Sequence, residues 1–472
     1  PYTPIQKITG NPESFDGRMK TISFQIESAL LYDRRKESHL KEAKKLAIPQ
    51  IDIVACNLYP FEQTVAKKDA SHRAIIENID VGGPTMLRAA AQNGLYVATD
   101  PADYPAIIAE LSAKKKTQLI PTLQTKAFSH LSFYDSQVAA YFTSQSSDLF
   151  PQELTIAGRK SMELRYGENP HQKAAVYLEP NVKTPFGSLR KRWGRDLSLI
   201  NLTDINAGIA SVRIFREPAA VVIKHNSPSA IALGATPHQA LSRAIDADPE
   251  SAFGGIIVLN KPMDIKAARV IGAFKDARRG NIDIIAAPSI AQDALAFLQS
   301  VRKTMGIYTF GLLPKLEDPW NIKSIDGGFV LQTADLHIDA SFSEWKIVTK
   351  KKPTTIQLRQ MRIGWKFATK IRSNTILIID KSLPMTRGIG SGQTSRVRSA
   401  RIALEQAGNH AKGAILVSDS FFPFPDNVDL AVKHGIAAIV QQGGSVNDQQ
   451  SIDAADRAGI PMVCTGRRAF WH

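Results

Sequence analysis

Short apolar runs separated by helix-like segments recur along the chain and predict an α/β fold. Near the start, residues 51–59 predict a buried strand that ends at Pro60, and residues 95–99 predict a second short strand. Between them, residues 85–93 predict a helix that Gly94 stops, and residues 105–113 are apolar at helical spacing. Because strands alternate with helices, the pattern favours a parallel sheet.

The same pattern continues after a polar stretch at residues 144–152, which is the preferred domain boundary. A chain of 472 residues also exceeds what one hydrophobic core usually holds. We therefore predict one domain over residues 1–150 and a second region, with several strands per sheet, over residues 151–472. The apolar runs of the second region lie at 219–223, 254–259, 282–287, 375–379, 413–417 and 436–440.

Composition narrows the class of protein. Hydrophobic residues make up 43% and charged residues 22%, as in ordinary globular proteins, and no apolar run is long enough to span a bilayer. The two cysteines, Cys56 and Cys464, argue against a disulfide framework and favour the reducing cytoplasm. No group of His, Asp or Glu has metal-ligand spacing, so no metal is expected. The net charge of +15 suits nucleic acid or small anionic substrates, but the basic residues are scattered, which favours the latter.

The segment Lys224-His225-Asn226-Ser227-Pro228 carries the strongest candidate chemistry, directly after the predicted strand at 219–223. Side chains alternate faces along a strand, so Lys224 and His225 can share a site only where the strand ends and the chain turns. Ser227-Pro228 supplies such a break. At the carboxyl edge of a parallel strand, His225 would be well placed to accept a proton near neutral pH. The segment alone leaves open a histidine that bonds a backbone carbonyl.

Three further segments contain residue types that bind nucleotides. Residues 388–396 are rich in glycine and lie between a predicted strand and helix, where backbone amides bind anions, unless they form only a tight turn. Residues 418–427 hold three phenylalanines and two prolines, which suit stacking on a flat heterocycle or plugging a core. Within residues 164–172, Arg165 beside Tyr166 suits phosphate and ring contacts or a surface turn.

Together these segments resemble the family of bifunctional aminoimidazole carboxamide ribonucleotide (AICAR) formyltransferase and inosine monophosphate (IMP) cyclohydrolase enzymes. The resemblance covers nearly the whole chain, including the ending with Thr465-Gly466, Arg468 and His472. Eight signature stretches follow the family's order: DGRMKT at 16–21, NLYPF at 57–61, ENIDVGGP at 77–84, LRYGENPHQ at 164–172, KHNSP at 224–228, SAFGG at 251–255, GIGSGQTSR at 388–396 and FFPFPD at 421–426.

The resemblance implies both an architecture and a reaction. The first domain would be a truncated methylglyoxal-synthase-like cyclohydrolase. The second region would contain two cytidine-deaminase-like α/β units without the deaminase zinc. The family works as a homodimer with formyltransferase sites at the subunit interface. It transfers a formyl group from 10-formyltetrahydrofolate, the co-substrate, to AICAR in purine synthesis. No membrane or specific nucleic acid is expected as a partner.

The resemblance also assigns roles to individual residues. His225 would take the proton of the substrate amine, Lys224 would assist proton transfer or stabilise charge, and Asn374 would polarise the formyl oxygen. Gln393 and Asp426 would lie on or near the folate side. The residues that resemble the family's nucleotide contacts are Arg165, Tyr166, Asn201, Gly254, Asp283, Arg396, Phe421 and Arg468.

The first domain departs most from the family. The family begins roughly one βαβ unit earlier, with loops that hold the nucleotide phosphate, whereas this chain begins just before the DGRMKT stretch. Gln92 stands where the family has a lysine, although Lys20, Tyr59 and Asp80 remain as cyclohydrolase residues. We therefore expect weak or absent ring closure to IMP. Two alternatives for the whole chain are a relative that binds nucleotide without catalysis and a basic nucleic-acid-binding protein.

Overall fold

A computed structural model describes residues 2–113, 119–278, 280–314, 320–335 and 338–472, and the chain divides into two compact units. The first unit comprises Pro1–Lys160 and Tyr177–Val182, and the second comprises Ser161–Val176 and Lys183–His472. Strands β3 (Arg159–Glu163) and β4 (Ala175–Leu178), numbered by chain order, contain two of the three points where the chain passes between the units. Across these described ranges, no helix combines the length and apolar character needed to cross a membrane.

The first unit pairs two short parallel strands, as the sequence predicts, and surrounds them with helices. Its core includes Leu30, Leu87, Val97 and Leu131, all buried. The strand predicted over residues 51–59 is shorter than expected and only Val54 is buried, because only three residues pair with the neighbouring strand. The elements are α1 (Ile5–Thr9), α2 (Phe24–Leu31), α3 (Glu37–Lys45), β1 (Ile53–Ala55), α4 (Phe61–Val65), α5 (His72–Glu77), α6 (Gly82–Gln92), β2 (Tyr96–Ala98), α7 (Tyr104–Ser112) and α8 (Leu119–Ser144).

The second unit contains two six-stranded sheets built in succession. The elements of the first sheet and its helices are β5 (Arg190–Trp193), α9 (Leu199–Arg213), β6 (Ala219–Lys224), β7 (Ser227–Leu233), α10 (Pro237–Ala247), α11 (Pro249–Ala252), β8 (Gly255–Leu259), α12 (Ile265–Arg278), β9 (Ile282–Ala287), α13 (Gln292–Val301) and β10 (Gly306–Thr309). A hairpin of β11 (Trp320–Ile325) and β12 (Gly328–Thr333) follows. The elements of the second sheet and its helices are β13 (Lys346–Ile347), α14 (Thr355–Ala368), β14 (Ile376–Ile379), β15 (Thr386–Gly390), α15 (Arg396–Ala407), β16 (Ile415–Ser418), α16 (Asp426–Lys433), β17 (Ala438–Gln441), α17 (Asp448–Arg457) and β18 (Met462–Cys464).

The two sheets have the same strand order. The first runs β5-β10-β9-β8-β6-β7 and the second runs β13-β18-β17-β16-β14-β15. In each, the three central strands are parallel, whereas the hairpin at one edge and the strand at the other edge are antiparallel. The predicted parallel sheets are therefore mixed, because a hairpin and an edge strand join each parallel core. The second region thus consists of one architecture used twice.

Helices α9 and α14 lie between the two sheets and share one core with both. That core includes Ile209 from α9, Trp365 from α14, Val258 from the first sheet and Val417 from the second, all almost fully buried. The outer faces of the sheets pack against the remaining helices in two separate cores. Because both sheets pack on the same central helices, the edges that carry the candidate site residues are held in fixed positions.

Candidate functional site

Lys224 and His225 lie at the end of a two-residue hairpin. Lys224 is paired with Ser227, and His225 and Asn226 form the turn with φ angles of 56° and 60°. Positive φ at both central positions is the geometry that matches strand twist in such hairpins, and asparagine tolerates it well. The predicted break in the strand is therefore confirmed, but the predicted parallel environment is wrong. Strand β6 is antiparallel to both its neighbours because the chain returns at once through β7.

Pro228 does not end the strand as the sequence suggested. It lies inside β7, opposite an irregularity between Val222 and Ile223. Strand β7 is at the edge of its sheet, where a residue without an N–H group costs no ladder hydrogen bond. The turn itself is made by His225 and Asn226, which leaves the imidazole exposed at the tip of the hairpin.

The turn is held from both sides by polar contacts. The Asn226 N–H donates to Oδ1 of Asp204 on α9 over 2.6 Å. Lys224 is half-buried, and its Nζ donates to the carbonyl of Phe253 over 3.0 Å. Lys224 and His225 are therefore consecutive residues at one edge of the first sheet.

Gly254 and Asp283 come to the same edge through strand pairing. Ile223 pairs with Ile256, so the end of β6 lies beside the start of β8. The start of β8 pairs in turn with the start of β9, and the Gly254 N–H donates to the carbonyl of Asn281 over 2.6 Å. The Asp283 carboxylate is half-buried and accepts a hydrogen bond from Arg195 at 2.9 Å.

Arg165, Tyr166 and Asn201 gather at the start of α9. The Arg165 N–H donates to Leu197 and the carbonyl of Tyr166 accepts from Leu199, so this segment is fixed to the helix start. The Arg165 guanidinium lies 4.7 Å from the centre of the Tyr166 ring and donates to its hydroxyl over 2.9 Å. Asn201 forms a capping box with the helix N-cap, and its Oδ1 accepts the Ser198 N–H over 3.1 Å.

Asn374 belongs to a second cluster, at the edge of the second sheet. Its Oδ1 accepts a hydrogen bond from Arg396 at 2.7 Å, and its Nδ2 donates to the carbonyl of Gln393 at 2.9 Å. Arg396 also bonds Ser418 and the buried carboxylate of Asp419. Because the Arg396 guanidinium is buried and engaged with protein groups, its observed contacts position Asn374. Its contact with nucleotide stays a prediction.

The glycines at residues 388–396 serve packing more than the expected approach to a ligand. A Cβ on Gly388 would lie 1.9 Å from the carbonyl oxygen of Ala403, and one on Gly390 would lie 1.9 Å from that of Ser399. Both acceptor residues are on α15, so the helix packs directly on the strand backbone. Gly392, with φ of 66° and open space around its Cβ position, makes the turn that follows.

The aromatic loop after β16 combines both functions that its sequence suggested. Phe422 is fully buried and plugs the core, whereas Phe421 and Phe424 are 38% and 58% exposed. Asp426 is exposed at the start of α16, where its Oδ1 accepts from Asn427 Nδ2 over 2.8 Å. Two exposed aromatic rings therefore stand beside an exposed carboxylate.

Arg468 reaches this edge through the C-terminal segment. The N–H of the next residue, Ala469, donates to the backbone carbonyl of Asp419 over 2.8 Å. The exposed Arg468 guanidinium lies 4.8 Å from the ring centre of Phe470. The end of the chain thus lies next to the cluster that holds Asn374.

The two clusters are related by contact between the edge strands β7 and β15. Ala232 and Met385 form an antiparallel bridge, and the Leu233 N–H donates to the Pro384 carbonyl over 2.8 Å. Because these strands run in opposite directions, the start of β7 and the end of β15 point toward the same edge. The His225 turn precedes β7, and Gln393 follows β15. Both clusters therefore lie at the same edge of the paired strands.

In the first unit, the three expected cyclohydrolase residues line one cleft of about 530 Å³. Both oxygens of Asp80 accept backbone N–H groups, from Tyr59 at 3.2 Å and from Gly83 at 2.8 Å. Lys20 forms an ion pair with Glu13 over 3.2 Å. Gln92 is exposed in the last turn of α6 and is not among the residues that line this cleft. The start of α6 faces the cleft through Gly82 and Gly83.

Sequence reasoning missed two carboxylates that organise the clusters. Asp204 holds the His225 turn, and Asp419 accepts hydrogen bonds from Arg396 and from the Thr375 N–H, the latter at 3.0 Å. The sequence feature that could have revealed them is an acidic residue within a helix or directly after a strand that is otherwise apolar. A buried carboxylate needs hydrogen-bond partners, so these positions predict a local network, although not its members.

The fold and the clusters define the class: a mixed α/β enzyme in which a duplicated sheet architecture presents basic, amide and aromatic side chains at one edge. Comparison with known families agrees. The model of the AICARFT/IMPCHase bienzyme matches residues 89–406, and the model of the MGS-like domain matches residues 1–85. The chain belongs to the AICARFT/IMPCHase bienzyme family.

Curated relatives extend the similarity over the full chain. The "Bifunctional purine biosynthesis protein PurH" of Halalkalibacterium halodurans is 41% identical, covering 100% of this chain and 91% of that protein. The proteins of the same name from Oceanobacillus iheyensis and Shouchella clausii are 40% and 42% identical, covering 100% and 99% of this chain and 91% and 90% of theirs. A solved structure titled "Crystal structure of ForH" matches 30% of this chain and 76% of its own, at 34% identity and a TM-score of 0.26.

Proposed function

We propose that the second unit transfers the formyl group of 10-formyltetrahydrofolate to the amine of AICAR, in the synthesis of IMP. The observation that carries the proposal is the hairpin tip, where Lys224 and the exposed His225 follow one another at the edge that also holds Gly254 and Asp283. Family membership supplies the substrate class.

The chemistry needs a base because the substrate amine is a poor nucleophile. Its lone pair is delocalised into the imidazole and carboxamide, and the formyl group on the folate nitrogen is amide-like. His225 accepts the proton as the amine attacks the formyl carbon, and Lys224 stabilises the charge that develops. The bond between the formyl carbon and the folate nitrogen then breaks, and the proton passes to that nitrogen as tetrahydrofolate leaves. The backbone carbonyl of Phe253 holds the Lys224 ammonium at 3.0 Å, which keeps the cation beside the base.

Asn374 acts as the donor to the formyl oxygen in this proposal. One N–H of its amide is bonded to Gln393, and its oxygen is fixed by Arg396. An amide nitrogen carries two N–H donors, so one remains for an oxyanion. A donor that is already oriented costs no reorganisation during the reaction, which is the main source of such stabilisation.

We propose that the protein works as a homodimer with the transferase sites at the interface. The hairpin of β11 and β12 supports this, since a two-stranded hairpin alone is marginal in water. Its exposed apolar side chains include Ile322, Ile325, Phe329 and Val330. A second copy would cover them. We also propose a cytoplasmic location, which the low cysteine content of the sequence favours. The molar mass of a dimer in light scattering at micromolar concentration would support the homodimer, and the molar mass of a monomer would contradict it.

Both substrates of formyl transfer are assigned to the second unit. The cleft of the first unit is then the candidate site for the other reaction of the family, ring closure to IMP. Lys20, Tyr59 and Asp80 line it together, as the family resemblance expects. We propose that this cleft is the cyclohydrolase site and that its activity is weak. The basis is two departures from the family, Gln92 in place of a lysine and Ile22-Ser23-Phe24 in place of Leu-His-Pro, and the rate is tested below.

The decisive experiment is His225→Ala in the full chain, assayed with AICAR and 10-formyltetrahydrofolate and with formyl-AICAR separated from IMP. Loss of a general base typically costs about 10²–10⁴-fold in rate. His238→Ala is the matched control, because His238 lies on α10, beyond the opposite end of β7, and bonds only Thr236 among the described residues. Near-normal turnover by the folded His225→Ala protein would refute the proposed role. Absence of turnover in the wild-type protein would favour a non-catalytic relative.

A further inference from the structure

Asp204 lies on α9, where it connects the helix to the turn that carries His225. The residue is buried, with only 4% of its surface exposed to solvent. Its Oδ1 accepts the N–H of Asn226 over 2.6 Å. A buried carboxylate with a short bond to a backbone donor fixes that donor strongly, because charge-assisted hydrogen bonds are shorter and stronger than neutral ones.

The turn needs such support because neither of its central residues is glycine. His225 and Asn226 both have positive φ, a region that a non-glycine residue adopts infrequently. Histidine and asparagine adopt this region more often than most residues, but neither does so as freely as glycine. A contact from another element therefore selects the turn, and the position of the imidazole depends on that contact.

The electrostatics of Asp204 support the same connection. Burial raises the pKa of its carboxyl group, whereas the Asn226 N–H, the charge of His225 and the His225 N–H act to lower it. The carboxylate thus interacts with both residues of the turn. Asp204 also lies three positions after Asn201, so both side chains project from neighbouring points on the first turns of α9.

We propose that Asp204 is a positioning residue for formyl transfer, which holds the His225 imidazole at the reacting edge without contacting substrate. The inference rests on the proposed function, because it gives Asp204 an effect only through His225. Asp204 connects helix α9, whose start lies beside Arg165 and Tyr166, to the hairpin that carries the base. The distance between a bound nucleotide and its base is therefore set by α9.

The test is a double-mutant cycle in the full-length protein, with kcat and KM measured for both substrates. Asp204→Ala should lower kcat by about 10²-fold, the cost of misplacing a reacting group by roughly 1 Å. The KM values should change much less, because the substrate contacts remain. Asp204→Ala added to His225→Ala should cost little more than His225→Ala alone, since residues that act through one another are not additive.

Asp204→Asn keeps an oxygen that can accept the Asn226 N–H. It provides a second test in case the alanine variant does not fold. It should lose activity to an intermediate extent and keep the wild-type circular dichroism spectrum. Asp264→Asn is the matched control, since Asp264 accepts the Ala267 N–H at 2.8 Å at the start of α12, after the opposite end of β8. Asp264→Asn should keep the wild-type kcat.

The outcomes separate the two proposals. If His225→Ala is inactive but both Asp204 variants keep kcat within twofold of wild type, Asp204 has no positioning role and the proposed function stands. A loss that multiplies in full in the double variant also overturns the inference, because Asp204 would then act independently. If His225→Ala retains turnover, the proposed function fails and the inference fails with it. An equal loss in Asp264→Asn would attribute the effect to general destabilisation.

Discussion

The ion pair between Arg396 and Asp419 gives the sharpest prediction of stability, because both charges are withdrawn from water. The two side chains are 8% and 0% exposed. Asp419→Asn keeps an acceptor for the Thr375 N–H but leaves the Arg396 guanidinium buried without its counter-charge. Breaking a buried pair on one side costs about 3–5 kcal/mol, because desolvation of the remaining charge is no longer compensated.

The expected result can be read from urea unfolding. With a slope of about 3 kcal/mol/M, a loss of about 3–5 kcal/mol lowers the midpoint for the second unit by about 1–2 M. Arg396→Met should cost a similar amount, since it leaves the Asp419 carboxylate unpaired. The double variant should cost less than the sum, because neither charge then remains buried alone.

Activity distinguishes the two single variants. Arg396→Met removes the hydrogen bond that fixes Asn374 at 2.7 Å, whereas Asp419→Asn leaves that bond in place. At temperatures where both are folded, kcat should fall more in Arg396→Met. Glu344→Gln is the control, since its pair with Arg467 is 44% and 54% exposed and its loss should not move the midpoint measurably. A shift below about 0.5 M in both single variants would refute the argument, because it would correspond to only about 1.5 kcal/mol.

Two further predictions concern ring closure in the first unit and the reactivity of the two cysteines, one in each unit. Purified protein supplied with formyl-AICAR should form IMP slowly relative to formyl transfer, and ready ring closure measured by chromatography would contradict the expectation based on sequence. Burial, and after it the charge of Asp80, raises the pKa of the Cys56 thiol, and burial raises that of Cys464 to about 12. Since only the thiolate reacts, iodoacetamide should label both cysteines slowly at pH 7 and faster as the pH rises. Cys56 should react faster than Cys464. Asp80→Asn should further accelerate the labelling of Cys56. Mass spectrometry of the labelled peptides tests this, and faster labelling of Cys464 would contradict it.

The periodic features of the fold could be predicted from the sequence. The apolar runs of the second region all became strands, and α6 and α7 end within one residue of their predicted limits. These predictions depend on local spacing alone. The mixed direction of the strands was missed, because a two-residue turn without glycine at 225–226 gives little local signal for a hairpin.

The candidate site residues come from the family resemblance and stay predictions, whereas the residues that support them in the structure were not predicted. Asp204 and Asn226 are separated by 22 positions, and Arg396 and Asp419 by 23. Contacts over such separations depend on strand order, which hydrophobic spacing does not specify. The same holds for the glycines at 388 and 390. They are required because α15 packs directly on the strand, and local sequence does not predict that contact.

The contact between β7 and β15 has a consequence for any attempt to dissect the second unit. Each strand ends the hydrogen-bond ladder of its own sheet, and each shields the other's unpaired backbone groups at that border. A fragment carrying one half alone would present this border to water as a template for further strands. Such a fragment should precipitate or pair with its own copies, so we expect either half expressed alone to be less soluble than the whole second unit.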